Sequence, residues 1–182
     1  FEIMTDAASP SQILDGEGTI PPQILKQISS LRAQVRESFG KIVMTMMGMP
    51  RYRHQSLADL QALVLEPLIR DRIAMARPSD DSTAASLDLF GLAIWASVSP
   101  EVDAKIREQI KAGVWPIRLK SEDWTSGEIN WLLDVIAPDR KACGRVIANF
   151  GQVVKGGELR MHPIVAGLVD AETREKLMAQ AK

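Results

Sequence analysis

The sequence predicts an α+β domain built on one sheet, and three observations carry that prediction. Ile129 to Ala137 is a nearly continuous apolar run, bounded by Ser126-Gly127 and by Pro138, as in a strand covered on both faces. An apolar residue every three or four positions from Ile24 to Met46 marks a long helix ahead of any strand. The remaining segments read helix, strands, helix, strand, helix, strand, the order of a single domain with a central mixed sheet flanked by helices.

In chain order, residues 1–20 hold Ser, Asp, Gly and Pro with few apolar anchors and read as a flexible N-terminal arm, leaving 21–182 as the domain. Met4 reads as the natural start, and no secretory signal is expected. Pro21-Pro22 open the first helix, whose stripe Ile24, Ile28, Leu31, Val35, Phe39, Ile42, Met46 is expected in the core. Met44, Met46, Met47 and Met49 suit gap-filling, or the flexible lining of an acyl chain. Pro50 ends this helix, and Arg51-Tyr52-Arg53-His54-Gln55 forms a polar link. Ser56 with Asp59 is a capping pair for a second helix, which Pro67 should kink or end. Ile73–Ala76 reads as a short strand, 78–83 as a turn and Leu87–Ser97 as a longer strand. Ser99 and Pro100 start a third helix that stops at Gly113. Val114–Leu119 reads as an edge strand because of Pro116. After the central strand comes a helix over 139–150. Gly156-Gly157 between two short extended runs signals a hairpin, and Asp170 caps a last helix.

Bulk properties exclude several function classes. With 182 residues, 46% hydrophobic, 25% charged and a formal net charge of -1, the chain has no basic patch for nucleic acid. One cysteine rules out an internal disulfide framework and fits a reducing compartment, so a cytoplasmic protein is expected. No apolar run approaches the roughly 20 residues of a membrane span. Neither histidine has ligand-type neighbours at metal-binding spacing, so no metal is expected.

Two residues violate the central strand's apolar pattern, Asn130 and Asp134. On a period-two strand they share a face with Leu132 and Ile136. A carboxylate there costs several kcal/mol or so unless paired or hydrogen-bonded. Either Asp134 accepts backbone donors at the strand end, or a reaction needs a buried acid.

These residues also carry a resemblance. Ser121-Glu-Asp-Trp-Thr-Ser-Gly-Glu128, then Trp131, Asp134 and Ile136-Ala-Pro138, resemble the signature of the RTX toxin-activating lysine acyltransferases, the enzymes that fatty-acylate protoxins such as hemolysin. Gly40–Met47 is similar to the family's first-helix segment, and Leu92–Ala96 to its Ser-Trp-Ala strand. The resemblance covers residues 38–180, with a shorter region after Phe150. It implies a GNAT-like acyltransferase fold, a homodimer, no bound cofactor, and transfer of a fatty acyl group from acyl carrier protein to an internal lysine of an RTX protoxin.

It also implies a catalytic histidine just after the first helix and an aspartate on the strand before Ile-Ala-Pro. Asp134 matches the aspartate. In an ungapped match the histidine's position falls on Tyr52, with Met49 under the family's serine. His54 lies two residues on and is preferred as the functional residue, Tyr52 being the alternative. A lysine amine must lose a proton to attack a thioester. An imidazole suits that task near pH 7, and a carboxylate behind it can orient it and stabilise its cation. The expected catalytic pair is therefore His54 as base with Asp134 as its partner, and an acyl-imidazole is the competing role. Arg51, Arg53, Asn130 and Trp131 are the expected substrate-binding residues, the arginines facing an acidic carrier or its phosphopantetheine phosphate. Cys143, beside Val146 and Phe150 on an apolar face, reads as core.

Two other functions remain open on the sequence. Tyr52 at the histidine position fits a catalytically silent GNAT-like domain that binds an acyl carrier or a polypeptide. A CoA-dependent N-acyltransferase would need a pyrophosphate loop, of which Lys141-Ala-Cys-Gly144-Arg-Val146 is only a degenerate echo.

Overall fold

A computed structural model describes residues 20–76, 91–154, 158–172 and 174–175. The chain divides into two compact units, 1–34 and 35–182. Helix α1 is Pro22–Met47. Its stripe is buried only near the C-terminal end. Ile42 and Met46 are buried, whereas Ile24 and Leu31 are 45% and 61% exposed.

The second unit holds the sheet. A 3-10 turn, Pro50–Tyr52, follows α1. The predicted second helix exists as α2 (Leu57–Leu60), a π-helical turn (Gln61–Leu65) and α3 (Glu66–Ile69). Ser56 and Asp59 form the expected reciprocal cap. Pro67 has no N–H to return to the Leu63 carbonyl, and the widened turn lies immediately upstream of it. Strand β1 is Ile73–Ala76, β2 Gly91–Val98, α4 Pro100–Lys111, β3 Ile129–Ile136, α5 Arg140–Val153, β4 Leu159–Met161 and α6 Pro163–Ala166. Residues 78–83 and 87–90 lie outside the described residues.

Among the described residues, four strands form one sheet in the order β1-β2-β3-β4, antiparallel except for the parallel pair β3 and β4. Its two faces carry separate clusters. Ile42, Met46, Tyr52 and Val64 meet Leu92, Ile94, Trp131 and Leu133 on one. Cys143, Val146, Ile147 and Phe150 of α5 meet Ala93, Leu132 and Val135 on the other. Each large aliphatic side chain so buried contributes about 1.5–3 kcal/mol.

Three expectations change. Val114–Leu119 forms no strand, because Pro116 offers no N–H for a ladder. Val153 belongs to α5, which runs past 150, and β4 pairs in parallel with β3, so there is no hairpin arm at 153–154; Gly156-Gly157 lies outside the described residues. Short helix α6 was not expected; its N-cap is His162, whose Nδ1 accepts from Ile164 N at 3.1 Å.

Ser121–Gly127 is a tight structural turn. Asp123 accepts from Lys120 N, Ser126 Oγ accepts from Ser99 N, and Trp124 is buried at 2% exposure. Gly127 is required there because a Cβ would lie 2.5 Å from Val98 O and 2.6 Å from Ser99 N, both backbone. Gly127→Ala must move that backbone, with an expected loss of about 2 kcal/mol. Thermal unfolding reads this as a lowered midpoint, and a wild-type midpoint would contradict it.

Candidate functional site

A β-bulge sets the site. Ile94 pairs with Asp134 but Trp95 pairs with Leu132, which leaves Leu133 as the extra residue of β3. Strict alternation would put Asp134 on the face of Leu132. Past the bulge the alternation is inverted: Val135 joins the α5 cluster and Ile136 the opposite one. Asp134 is thereby turned toward Tyr52, correcting the expectation that it shares a face with Leu132.

The Asp134 side chain is fully buried and every oxygen has a donor. Tyr52 Oη donates to Oδ2 at 2.5 Å. Arg51 Nη2 donates to Oδ1 at 2.9 Å and to the Val135 carbonyl at 2.5 Å. Val135 N also donates to Oδ1, at 2.8 Å. The 3-10 turn at Pro50 brings consecutive residues 51 and 52 to one carboxylate, and the Arg51 guanidinium lies 4.6 Å from the Tyr52 ring centroid. Burial pushes the Asp134 carboxyl up to about 6, against the opposing pull of Arg51 and Tyr52. Burial first, and then the neighbouring Asp134, hold the Tyr52 hydroxyl protonated far above the ordinary phenol range.

The imidazole expected beside Asp134 is absent from this cluster. His54 is exposed and has no hydrogen bond or ion pair among the described residues. The turn points Tyr52 inward and leaves His54 outside. Arg51 is in the cluster, committed to Asp134. Arg53 is exposed and lines a cavity of about 290 Å³ with Tyr52, Gln55, Val43, Met46 and Leu60. Gln55 was not singled out from the sequence; its Oε1 is buried with no donor among the described residues.

Trp131 and Asn130 are placed elsewhere. Trp131 is buried, and its Nε1–H donates to Asp103 Oδ1 at 2.8 Å. Asp103 also pairs with Arg107 and Arg160, which makes a tie between α4 and the β3–β4 pair. Asn130 is buried on β3 opposite Ser97 and Leu159. Cys143 is buried in α5, and burial raises its thiol, as suits a core residue. Among the described residues no three His, Cys, Asp or Glu side chains are grouped to hold a metal ion, and no helix is long and apolar enough to cross a membrane.

A four-stranded mixed sheet with helices on both faces and a buried acid at a bulge in its central strand is consistent with a GNAT-like acyltransferase fold. The profile of the RTX toxin acyltransferase family matches residues 31–154, and the chain belongs to that family. It is therefore an acyltransferase of the class that acts on RTX toxins. No curated protein matches the chain.

Proposed function

We propose that this protein transfers a fatty acyl group from acyl carrier protein to the ε-amine of an internal lysine in an RTX protoxin, in the cytoplasm and as a homodimer. The observation that carries the chemistry is Asp134, a fully buried carboxylate whose raised pKa suits proton transfer near neutral pH and whose position is fixed by Arg51, Tyr52 and the bulge. Membership of the family supports the substrate class. A carrier-borne thioester is favoured over free CoA by the start of α5. There the Asp139 carboxylate accepts from Ala142 N at 2.7 Å, so the helix N-terminus that would grip a pyrophosphate already holds a negative group.

The test supplies the protein with fatty-acyl carrier protein or fatty-acyl-CoA, and with an RTX protoxin polypeptide or a small amine, read by intact mass and peptide mapping. One acyl increment on a protoxin lysine, with the carrier as donor, is expected. Transfer only from CoA, or only to the small amine, would overturn the reading.

A further inference from the structure

We propose that Tyr52 takes the proton of the attacking amine and passes its own to Asp134, while Gln55 holds that amine, so that a tyrosine–aspartate relay stands in place of an imidazole. This rests on the acyl-transfer reading above and specifies how this chain carries it out.

Three features of the site converge on the relay. A phenol has one proton and two lone pairs. The Tyr52 proton is committed to Asp134 Oδ2 and the Arg51 guanidinium lies beside the same oxygen, which leaves one lone pair to accept another proton. Tyr52 is also part of the wall of the 290 Å³ cavity, a volume near the lower end for small-ligand sites. Gln55 belongs to that same wall and has a buried Oε1 with no donor among the described residues, an acceptor that is costly to leave unmet and that an amine N–H would satisfy. Val43, Met46 and Leu60 make the remaining wall apolar, suited to the first carbons of an acyl chain.

The proton balance closes without any further reactant. The lysine ammonium releases one proton to solvent and enters as the neutral amine. Its nitrogen forms the N–C bond at the thioester carbonyl. As that bond forms, an N–H proton passes to Tyr52 Oη and the Tyr52 proton passes to Asp134, so no phenolate accumulates. The C–S bond then breaks, and the proton on Asp134 returns through Tyr52 to the departing sulfur. Thioester and amine become amide and thiol. Because the phenol is held protonated, Tyr52 cannot act as a base by itself and depends on an ionised Asp134 behind it.

The experiment measures single-turnover transfer from fatty-acyl carrier protein to an RTX protoxin polypeptide, with a proton inventory in mixed light and heavy water. Wild type is expected to give a curved inventory, from two protons in flight. Tyr52→Phe is expected to lose about 10²-fold or more in rate, and Gln55→Met to raise KM for the protoxin with kcat little changed. A linear inventory in wild type, or wild-type transfer by Tyr52→Phe, overturns the relay, as does transfer by Tyr52→His with an inert parent. If neither wild type nor Tyr52→His acylates the protoxin, the acyl-transfer reading itself falls.

Discussion

Replacing Asp134 with Asn is expected to leave the protein folded and to lower acyl transfer by about 10²–10⁴-fold. The two side chains are nearly equal in volume, so the bulge and the surrounding core keep their packing. The Asn carbonyl can still accept from Tyr52, but an amide cannot take up the amine's proton. Stability adds a separate reading with a definite sign. The folded carboxyl titrates at about 6, above the ordinary carboxylate value, so the native state binds the extra proton. Asp134 thus costs nothing by titration below about pH 4, and stability falls as pH rises toward 6 and slightly beyond, by roughly 3 kcal/mol in all. The Asn variant should lack that fall. Urea unfolding at pH 4.5 and at pH 7, beside a transfer assay, checks both halves. Undiminished transfer by the folded variant would remove Asp134 from the chemistry.

Arg51→Met is expected to destabilise the protein by about 3 kcal/mol at pH 7. Methionine keeps much of the side-chain bulk but removes the guanidinium that bonds both Asp134 Oδ1 and the Val135 carbonyl. A fully buried carboxylate then loses its cation, its pKa rises further, and the transfer profile shifts to higher pH. The Arg51 side chain is 30% exposed, so water can partly replace it and the effect stays at the lower end for a broken buried pair. The cost should shrink at pH 5, where Asp134 takes up a proton. An equal cost at both pH values would contradict the assignment of Arg51 as the charge partner.

Much of the fold was legible because its signals are local. Pro22, the Ser56–Asp59 cap and Ser99 mark helix starts by supplying or withholding particular hydrogen bonds, and each does so in the structure. Asp134 was legible as a candidate because a charge in an apolar strand has few structural excuses. The orientation of that carboxylate was not legible, since the bulge at Leu133 arises from how β2 and β3 pair, and alternation within β3 alone says nothing of it. Which of Tyr52 and His54 turns toward Asp134 was not legible, since the preference for His54 came from the basicity of imidazole and not from any local signal of orientation. The turn at Pro50–Tyr52 buries the tyrosine and leaves the histidine outside. Gln55 could have been found only from its burial beside the cavity, for which a glutamine in a polar link gives no sequence signal.

The pH dependence of kcat/KM for transfer from acyl carrier protein to protoxin tests the central claim most directly, namely that a buried Asp134 receives the proton. Once divided by the neutral fraction of the lysine amine, the expected profile rises with pH to a plateau with its midpoint near 6, where Asp134 ionises. In Asp134→Asn the residual rate should show no such rise. A midpoint that persists unchanged in Asp134→Asn would assign the titration to another group and contradict the account.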